Sequence, residues 1–325
     1  PLRSKLFAGI ARASRLACGP LAPLANAVMG NGLVRKGLEK FAGISSQRKL
    51  PEFARVPFTH WFEKRAKGES SRLPSRGPLP PSPLRRPSVV LFNDTFNTYN
   101  TPEIAIAATE VLEAAGFEVV LPGHPCCGRP MISKGLVDMA RNAARDTVEK
   151  LYPFAAQGIP IIGLEPSCLL TLRDEYLYLL PGDPRPAKIA EQAVMFEEFV
   201  AGEVEKGNWN LELKPLEGNI LLHGHCHQKS LVGTGPSKQM MGLTGAAVTE
   251  VDSGCCGMAG SFGYEAEHYA VSLKMGERRL LPAVREQPED TWVVAAGVSC
   301  RAQIAHGTGR RAWHPAEVLR NLAKN

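Results

Sequence analysis

The chain has 325 residues, 44% of them hydrophobic and 22% charged, which is the composition of a globular protein of two or three structural units and not of a disordered or fibrous one. Its net charge of +6 conceals an asymmetry: residues 1–87 hold 17 Lys/Arg against 4 Asp/Glu, and the remainder is net negative. No apolar run approaches the ~20 residues that span a bilayer, and no nucleic-acid fold signature accompanies the basic segment, so no nucleic-acid partner is expected.

The chain starts at Pro1 with neither Met nor a signal peptide, the expectation for a piece of a longer protein. Residues 1–45 are rich in Ala, Leu, Arg and Gly and predict one or two helical segments. Leu73 to Pro87 predicts an extended Pro/Ser/Arg linker, so that 1–87 forms a basic helical segment with its linker. Such a segment suits an acidic neighbour, a missing part of the same protein, or a peripheral membrane contact. Beyond it, short apolar runs alternate with helical stretches, the pattern of a parallel α/β architecture. Strands are expected at Ser88–Phe92, Glu118–Leu121, Ile159–Leu164, Asn219–Leu222, Val248–Val251 and Trp292–Ala295. Helices are expected near Glu103–Ala115, Leu136–Tyr152, Lys188–Val200, Tyr264–Val284 and Ala316–Leu322.

The eight cysteines follow this order. Cys126-Cys127 come after the second strand, Cys168 after the third, Cys226 after the fourth, Cys255-Cys256 after the fifth and Cys300 after the sixth. In an open parallel sheet the carboxyl ends of the strands share one edge, where ligands bind, so thiols distant in sequence should converge there. Cys18 lies apart, in the basic segment. Vicinal cysteines make poor disulfide partners, and without a secretory signal a cytoplasmic, reducing setting is expected.

An internal repeat reinforces the pattern. His124-Pro125-Cys126-Cys127-Gly128 recurs as Ser253-Gly254-Cys255-Cys256-Gly257, and each copy leads through a helix and a strand to Ser-Cys, at Ser167-Cys168 and Ser299-Cys300. The expected fold is therefore two repeated Rossmann-like parallel-sheet halves, 88–217 and 218–325, related by a pseudo-two-fold. The openings differ: His225-Cys226-His227 in the second half, Asn93-Asp94-Thr95-Phe96 in the first. The second half offers four thiols, the first only three.

Four thiolates commonly hold an iron–sulfur cluster. Cys226, Cys255, Cys256 and Cys300 supply that number, and adjacent thiolates fit a polynuclear cluster better than one tetrahedral ion. Gly257 and Gly260 allow close backbone approach and N–H bonds to sulfur. His223 and His225, on one face if the strand continues, offer hydrogen bonds to sulfur or a proton relay, with capping or core roles as alternatives. Cys126, Cys127 and Cys168 are a second metal group or a degenerate copy, and Asp94 is an oxygen ligand or a helix cap. Arg301 offsets a negative cluster or forms a surface salt bridge. His314 before Pro315 marks a helix entry. A set of buried structural cysteines and a zinc scaffold remain alternatives. No Walker or G-x-G-x-x-G motif indicates a nucleotide site in the chain itself.

Gly224-His225-Cys226, Gly254 to Gly260 with Gly263 and Glu265, Ser299-Cys300-Arg301-Ala302-Gln303 and His314-Pro315 resemble the cysteine-rich CCG domain of heterodisulfide reductases and of the glycolate oxidase iron–sulfur protein. The closer resemblance is to the C-terminal region of FAD-linked D-2-hydroxyacid dehydrogenases of the D-lactate and D-2-hydroxyglutarate type, over roughly residues 50–325. It implies an electron-transfer module with an iron–sulfur cluster, 4Fe-4S or non-cubane. It also implies FAD on a missing upstream flavin or ferredoxin-like domain or subunit, and a quinone, cytochrome or disulfide acceptor. By the same resemblance a disulfide or quinone reductase is the alternative, although a lone Cys closes each half where heterodisulfide reductases have C-x-x-C.

Overall fold

A computed structural model of the chain describes residues 2–66 and 86–324. The linker expected at Leu73–Pro87 lies outside the described residues except for its last two positions. The first half builds a four-stranded sheet from β1 (Ser88–Phe92), β2 (Glu118–Val120), β3 (Ile161–Gly163) and β4 (Ala193–Met195), in the order β2-β1-β3-β4 with every pair parallel. The second half builds a three-stranded parallel sheet from β5 (Asn219–His223), β6 (Ala247–Glu250) and β7 (Trp292–Ala295), in the order β6-β5-β7. A parallel bridge from Val294 to Trp313 occupies the place that β4 holds beside β3. The two-half parallel α/β architecture expected from the repeat is thus present.

Strand residues alternate between two cores, as the period of two demands. Val89 and Leu91 of β1, with Ile220 and Leu222 of β5 and Val294 of β7, enter one hydrophobic core shared by both halves. Val90 and Phe92 face the helices Val137–Ala155 and Pro166–Arg173 in a second core, and Leu221, Val293 and Ala295 face Leu280–Arg285 and Val298–Thr308 in a third. The halves also exchange helices. Pro315–Leu322, the last helix of the second half, packs on Pro102–Ala114 of the first, and Phe196–Glu205 packs on Gly235–Gly242. Arg320 and Glu110 form an ion pair of 2.6 Å across the first of these contacts.

Three expectations need correction. The stretch 188–200 is not one helix: Arg185–Gln192 ends, β4 intervenes, and Phe196–Glu205 follows. The stretch 264–284 is also broken, into 3-10 turns at Phe262–Tyr264 and Ala266–His268 and helices Tyr269–Glu277 and Leu280–Arg285. Pro282 has no N–H to give to the carbonyl four residues back, so the helix cannot run through Arg278–Arg279. The basic segment holds four helices before residue 43, at Leu2–Ala8, Ile10–Ala17, Ala22–Gly30 and Gly32–Ala42.

Candidate metal centre

The strand order of each half reverses beside its first strand, which opens a crevice at the carboxyl ends of β1 and β3 and of β5 and β7. The cysteines stand there. β5 ends at His223; two residues later His225 caps the helix Cys226–Leu231, its Nδ1 accepting from the His227 N–H at 3.1 Å. His223 and His225 therefore do not share a strand face. Cys226 opens that helix, and Cys300 lies in the first turn of Val298–Thr308 after β7. Cys255-Cys256 occupy the loop after β6.

The four sulfurs of the second half touch in sequence: Cys226 meets Cys255, Cys255 meets Cys256, and Cys256 meets Cys300. They form an extended row. Among the described residues, the groups whose ligand atoms crowd within 4.8 Å of one another, as a single bound ion requires, are Asp174/Glu175/His227 and Glu265/Glu267/His268. Neither contains a cysteine. Such a row suits several irons better than one zinc.

Anionic sulfur is favoured at two points of the row. Cys255 is pulled well below the ordinary thiol range by its contacts with Cys226 and Cys256, helped by the N–H groups of Gly257 and Ala259. The Gly257 N–H donates to the Cys255 sulfur at 3.3 Å. Cys300 is pulled down by Cys256 and by His223 and His225. His223 is 1% exposed, bonds Ser253 Oγ through Nδ1 at 2.9 Å, and turns its other face to Cys300. Cys226 and Cys256 move up, first through contact with their thiol neighbours and then through burial.

Gly257 adopts φ +95°, and a Cβ there would stand 2.2 Å from the Ser272 carbonyl oxygen, so only glycine closes this turn. Gly260, at φ +67°, borders the cavity. Ala259 is the non-glycine with positive φ (40°) among the described residues. Its unfavourable backbone aims an N–H at sulfur, the type of strain found at functional sites.

The first half is built alike but charged differently. Asp94 occupies the position of His225, capping the helix Thr95–Tyr99 with hydrogen bonds from Phe96 and Asn97 N–H at 2.9 and 3.1 Å. It is a cap, and Thr95 stands where the second half has Cys226, its hydroxyl against Cys126. Cys126, Cys127 and Cys168 do come together. All three are pushed up. Cys126 rises through contact with Cys127 and burial. Contact with Cys126 favours the Cys127 thiolate, but contact with Cys168 and burial outweigh it. Cys168 reaches about 12 because burial and the carboxylates Asp94 and Glu165 outweigh its contact with Cys127. The neutral thiol is favoured at all three positions of the first trio, whereas the second quartet favours the thiolate at Cys255 and Cys300.

A cavity of about 300 Å³ separates the halves. Cys226, Cys255 and Cys256 border it on one side, Cys168, Glu165 and Arg129 on the other, and Phe7, Ile10 and Leu50 of the basic segment complete its wall. Two hydrogen bonds cross it: His225 Nε2–H to Ser167 Oγ at 3.3 Å, and the Val298 N–H to Glu165 Oε2 at 2.7 Å. Because His225 Nδ1 accepts, its proton sits on Nε2. Glu165, Ser167 and Thr95 were not singled out from the sequence, although the repeat alignment marks Thr95 as the missing thiol.

Arg301 is not in a surface salt bridge. It is 9% exposed and donates to the carbonyls of Ala295, at 3.1 Å, and Ala296. His314 is the helix entry expected, capping Pro315–Leu322 and reaching the Leu164 carbonyl at 3.0 Å. Cys18 ends the second helix and donates its thiol to Arg15 O at 3.3 Å, away from the other cysteines.

The model of the cysteine-rich (CCG) domain matches residues 93–173 and 220–305, one copy per half. One of the proteins that make up the anaerobic glycerol-3-phosphate dehydrogenase of Escherichia coli is 29% identical over 303 residues, 92% of this chain and 72% of that protein. The D-2-hydroxyglutarate dehydrogenase of the same organism is 27% identical over 240 residues, yet the match spans only 23% of its length. Lactate utilization protein A of Bacillus cytotoxicus is 26% identical over 240 residues, 70% of this chain and 94% of that protein.

Proposed function

The chain belongs to the cysteine-rich (CCG) domain family, and from that premise we propose that it is the electron-transfer part of a flavin-dependent dehydrogenase. The observation that carries this reading is the row Cys226–Cys255–Cys256–Cys300 at the edge of the inter-half cavity. These four sulfurs fit an iron–sulfur cluster: they are spread beyond the reach of one ion, two of them favour the thiolate, and backbone N–H groups and His223 point at them. When bound, such a cluster accepts and releases single electrons.

The residues around the row perform the rest. N–H bonds from Gly257 and Ala259 and the face of His223 offset negative charge on sulfur. The buried turn at Gly257 keeps water from one side, and the cavity leaves the other open to an acceptor such as a quinone, cytochrome or disulfide. His225 and Ser167 hold an exchangeable proton at that opening. Oxidation of the substrate belongs to another domain or subunit of the assembly, as the dehydrogenase names of the relatives suggest, and FAD on that part is what the resemblance to FAD-linked dehydrogenases implies. We assign the basic segment 1–87 to docking, and 88–217 and 218–325 to the two repeats.

No helix among the described residues is long and apolar enough to cross a membrane. A peripheral contact through the first helices fits their combination of Lys/Arg with exposed Leu16, Leu24, Leu33 and Phe41.

Iron and acid-labile sulfide in anaerobically purified chain test the proposal. Both are expected in wild type and are expected to fall at least fivefold in Cys255→Ser. Stoichiometric zinc without iron, or iron content untouched by that substitution, would refute it.

A further inference from the structure

Arg48 is the largest fully buried side chain among the described residues, 2% exposed, and it comes from the basic segment rather than from either repeat. Its Nη2 donates to Ser272 Oγ at 3.3 Å, and its guanidinium lies 5.4 Å from the Tyr269 ring centroid. Nε and Nη1 have no hydrogen-bond partner, and no carboxylate pairs with it among the described residues. A buried unpaired cation costs several kcal/mol unless an anion faces it. The groups with anionic forms that act on Arg48 are the Tyr264 and Tyr269 phenols and the Cys256 thiol. Burial pushes the Tyr264 phenol up to about 12, and a Cys256 that ligates a cluster is a thiolate, so the cysteine row is the anion that faces Arg48.

The contacts run directly to that row. Ser272, which Arg48 anchors, presents the carbonyl against which Gly257 is packed, and its hydroxyl reaches Met258 Sδ at 3.9 Å. The segment carrying Arg48 is tied to the same loop by Ser45 N–H to Tyr264 O at 2.8 Å, Ala266 N–H to Gly43 O at 2.9 Å, and the pairing of Arg3 with Glu265 at 3.1 Å. The opposite side of the row, at Cys300, meets His223 and His225. Arg48 is thus the fixed cation behind the Cys255-Cys256-Gly257 turn, and it lies inside a shell that water does not screen.

We propose that Arg48 is a positioning residue of the centre: the fixed counter-charge, delivered by the N-terminal segment, that stabilises the reduced form of the cluster on the second-half cysteines and so sets its reduction potential. The inference rests on the cluster reading above. Reduction adds one electron to an assembly already negative through its thiolates, so a nearby cation favours the reduced state, and loss of that cation lowers the potential. The N-terminal segment then does more than dock.

The test is an EPR-monitored redox titration of the full chain, prepared anaerobically, for wild type, Arg48→Gln, Arg48→Lys and Ser272→Asp. Arg48→Gln should retain wild-type iron and sulfide but shift the reduction equilibrium at least tenfold towards the oxidised form, 59 mV for one electron. Arg48→Lys, which keeps the charge, should remain within threefold of wild type. Ser272→Asp pairs the guanidinium in place and should shift in the same direction as Arg48→Gln; it also serves if Arg48→Gln does not fold. Unchanged potentials in Arg48→Gln or Ser272→Asp at full iron content would overturn the proposal, as would a folded Arg48→Gln chain that cannot hold iron. A wild-type chain without iron would instead refute the cluster reading beneath it.

Discussion

Three positions separate the repeats chemically. Where the second half has His225 and Cys226, the first has Asp94 and Thr95, and the N-terminal cap of its later helix is Glu165 where the second half has Gly297. The exchanges replace a thiol by a hydroxyl and put two carboxylates beside the remaining sulfurs. The consequence is electrostatic: Asp94 and Glu165 oppose a thiolate at Cys168, whereas His223 and His225 favour one at Cys300. Cys168→Ser is therefore expected to leave iron content within about 20% of wild type, unlike Cys255→Ser. Iron analysis of the two variants side by side decides the matter, and a fall to half in Cys168→Ser would mean that the first half holds metal as well. Gly257→Ala should behave like a ligand loss despite touching no sulfur by its side chain. Its Cβ would meet a backbone carbonyl, which cannot swing aside, and the positive φ adds about 1 kcal/mol or more. Iron retained at wild-type level in that variant would show that the turn relaxes.

At the level of elements, the strands that end at cysteines were legible because each is a short apolar run followed by a turn. β4 was not, since Ala193-Val194-Met195 sits between two helical stretches and becomes a strand only by pairing with β3. Its pairing partners lie 32 residues earlier in the chain, and no local pattern encodes that register. The helix Gly32–Ala42 raises the opposite question: it is well capped by Asn31, whose side chain accepts from Leu33 and Val34 N–H, yet none of its residues is buried. Leu33 and Phe41 are 80% and 81% exposed, with Arg35, Lys36 and Lys40 on the same helix. A helix whose apolar Leu33 and Phe41 stay exposed among the described residues, with Lys36 and Lys40 exposed beside them, suits an anionic lipid surface. Burying a Leu and a Phe is worth ~3 kcal/mol or more. The double variant Leu33→Ser/Phe41→Ser should then lose at least tenfold in affinity for vesicles containing phosphatidylserine, with cluster content unchanged. Equal affinity would remove these helices from any lipid contact.

For the whole molecule, the repeat made two halves predictable, but not how they would join. Their helices cross over, so one core serves both sheets, and a pseudo-two-fold places two cysteine groups across a single cavity. Such joining depends on contacts between residues a hundred or more apart, for which a single sequence carries no periodic signal; Arg48, buried under the second half, was equally invisible. The joint also hides an expensive group. Glu197 lies in the first turn of the crossing helix Phe196–Glu205, is 1% exposed, and among the described residues its carboxylate meets only its own backbone N–H. The equivalent position in the helix Pro315–Leu322 is Ala316. Burial, with Glu198 and Glu165 nearby, pushes the Glu197 carboxyl from 4.5 up to about 7. Below pH 4.5 the group is protonated in both folded and unfolded chains and costs nothing. Between 4.5 and 7 the unfolded chain releases its proton while the folded chain keeps it, so stability falls as pH rises, by ~3 kcal/mol in all, and levels off above 7. Glu197→Gln keeps the shape and removes the titration. It should match wild type in thermal unfolding at pH 4 and unfold at a clearly higher temperature at pH 8, measured on chains of equal iron content. An identical shift at both pH values would mean that packing, not the buried charge, separates the two proteins.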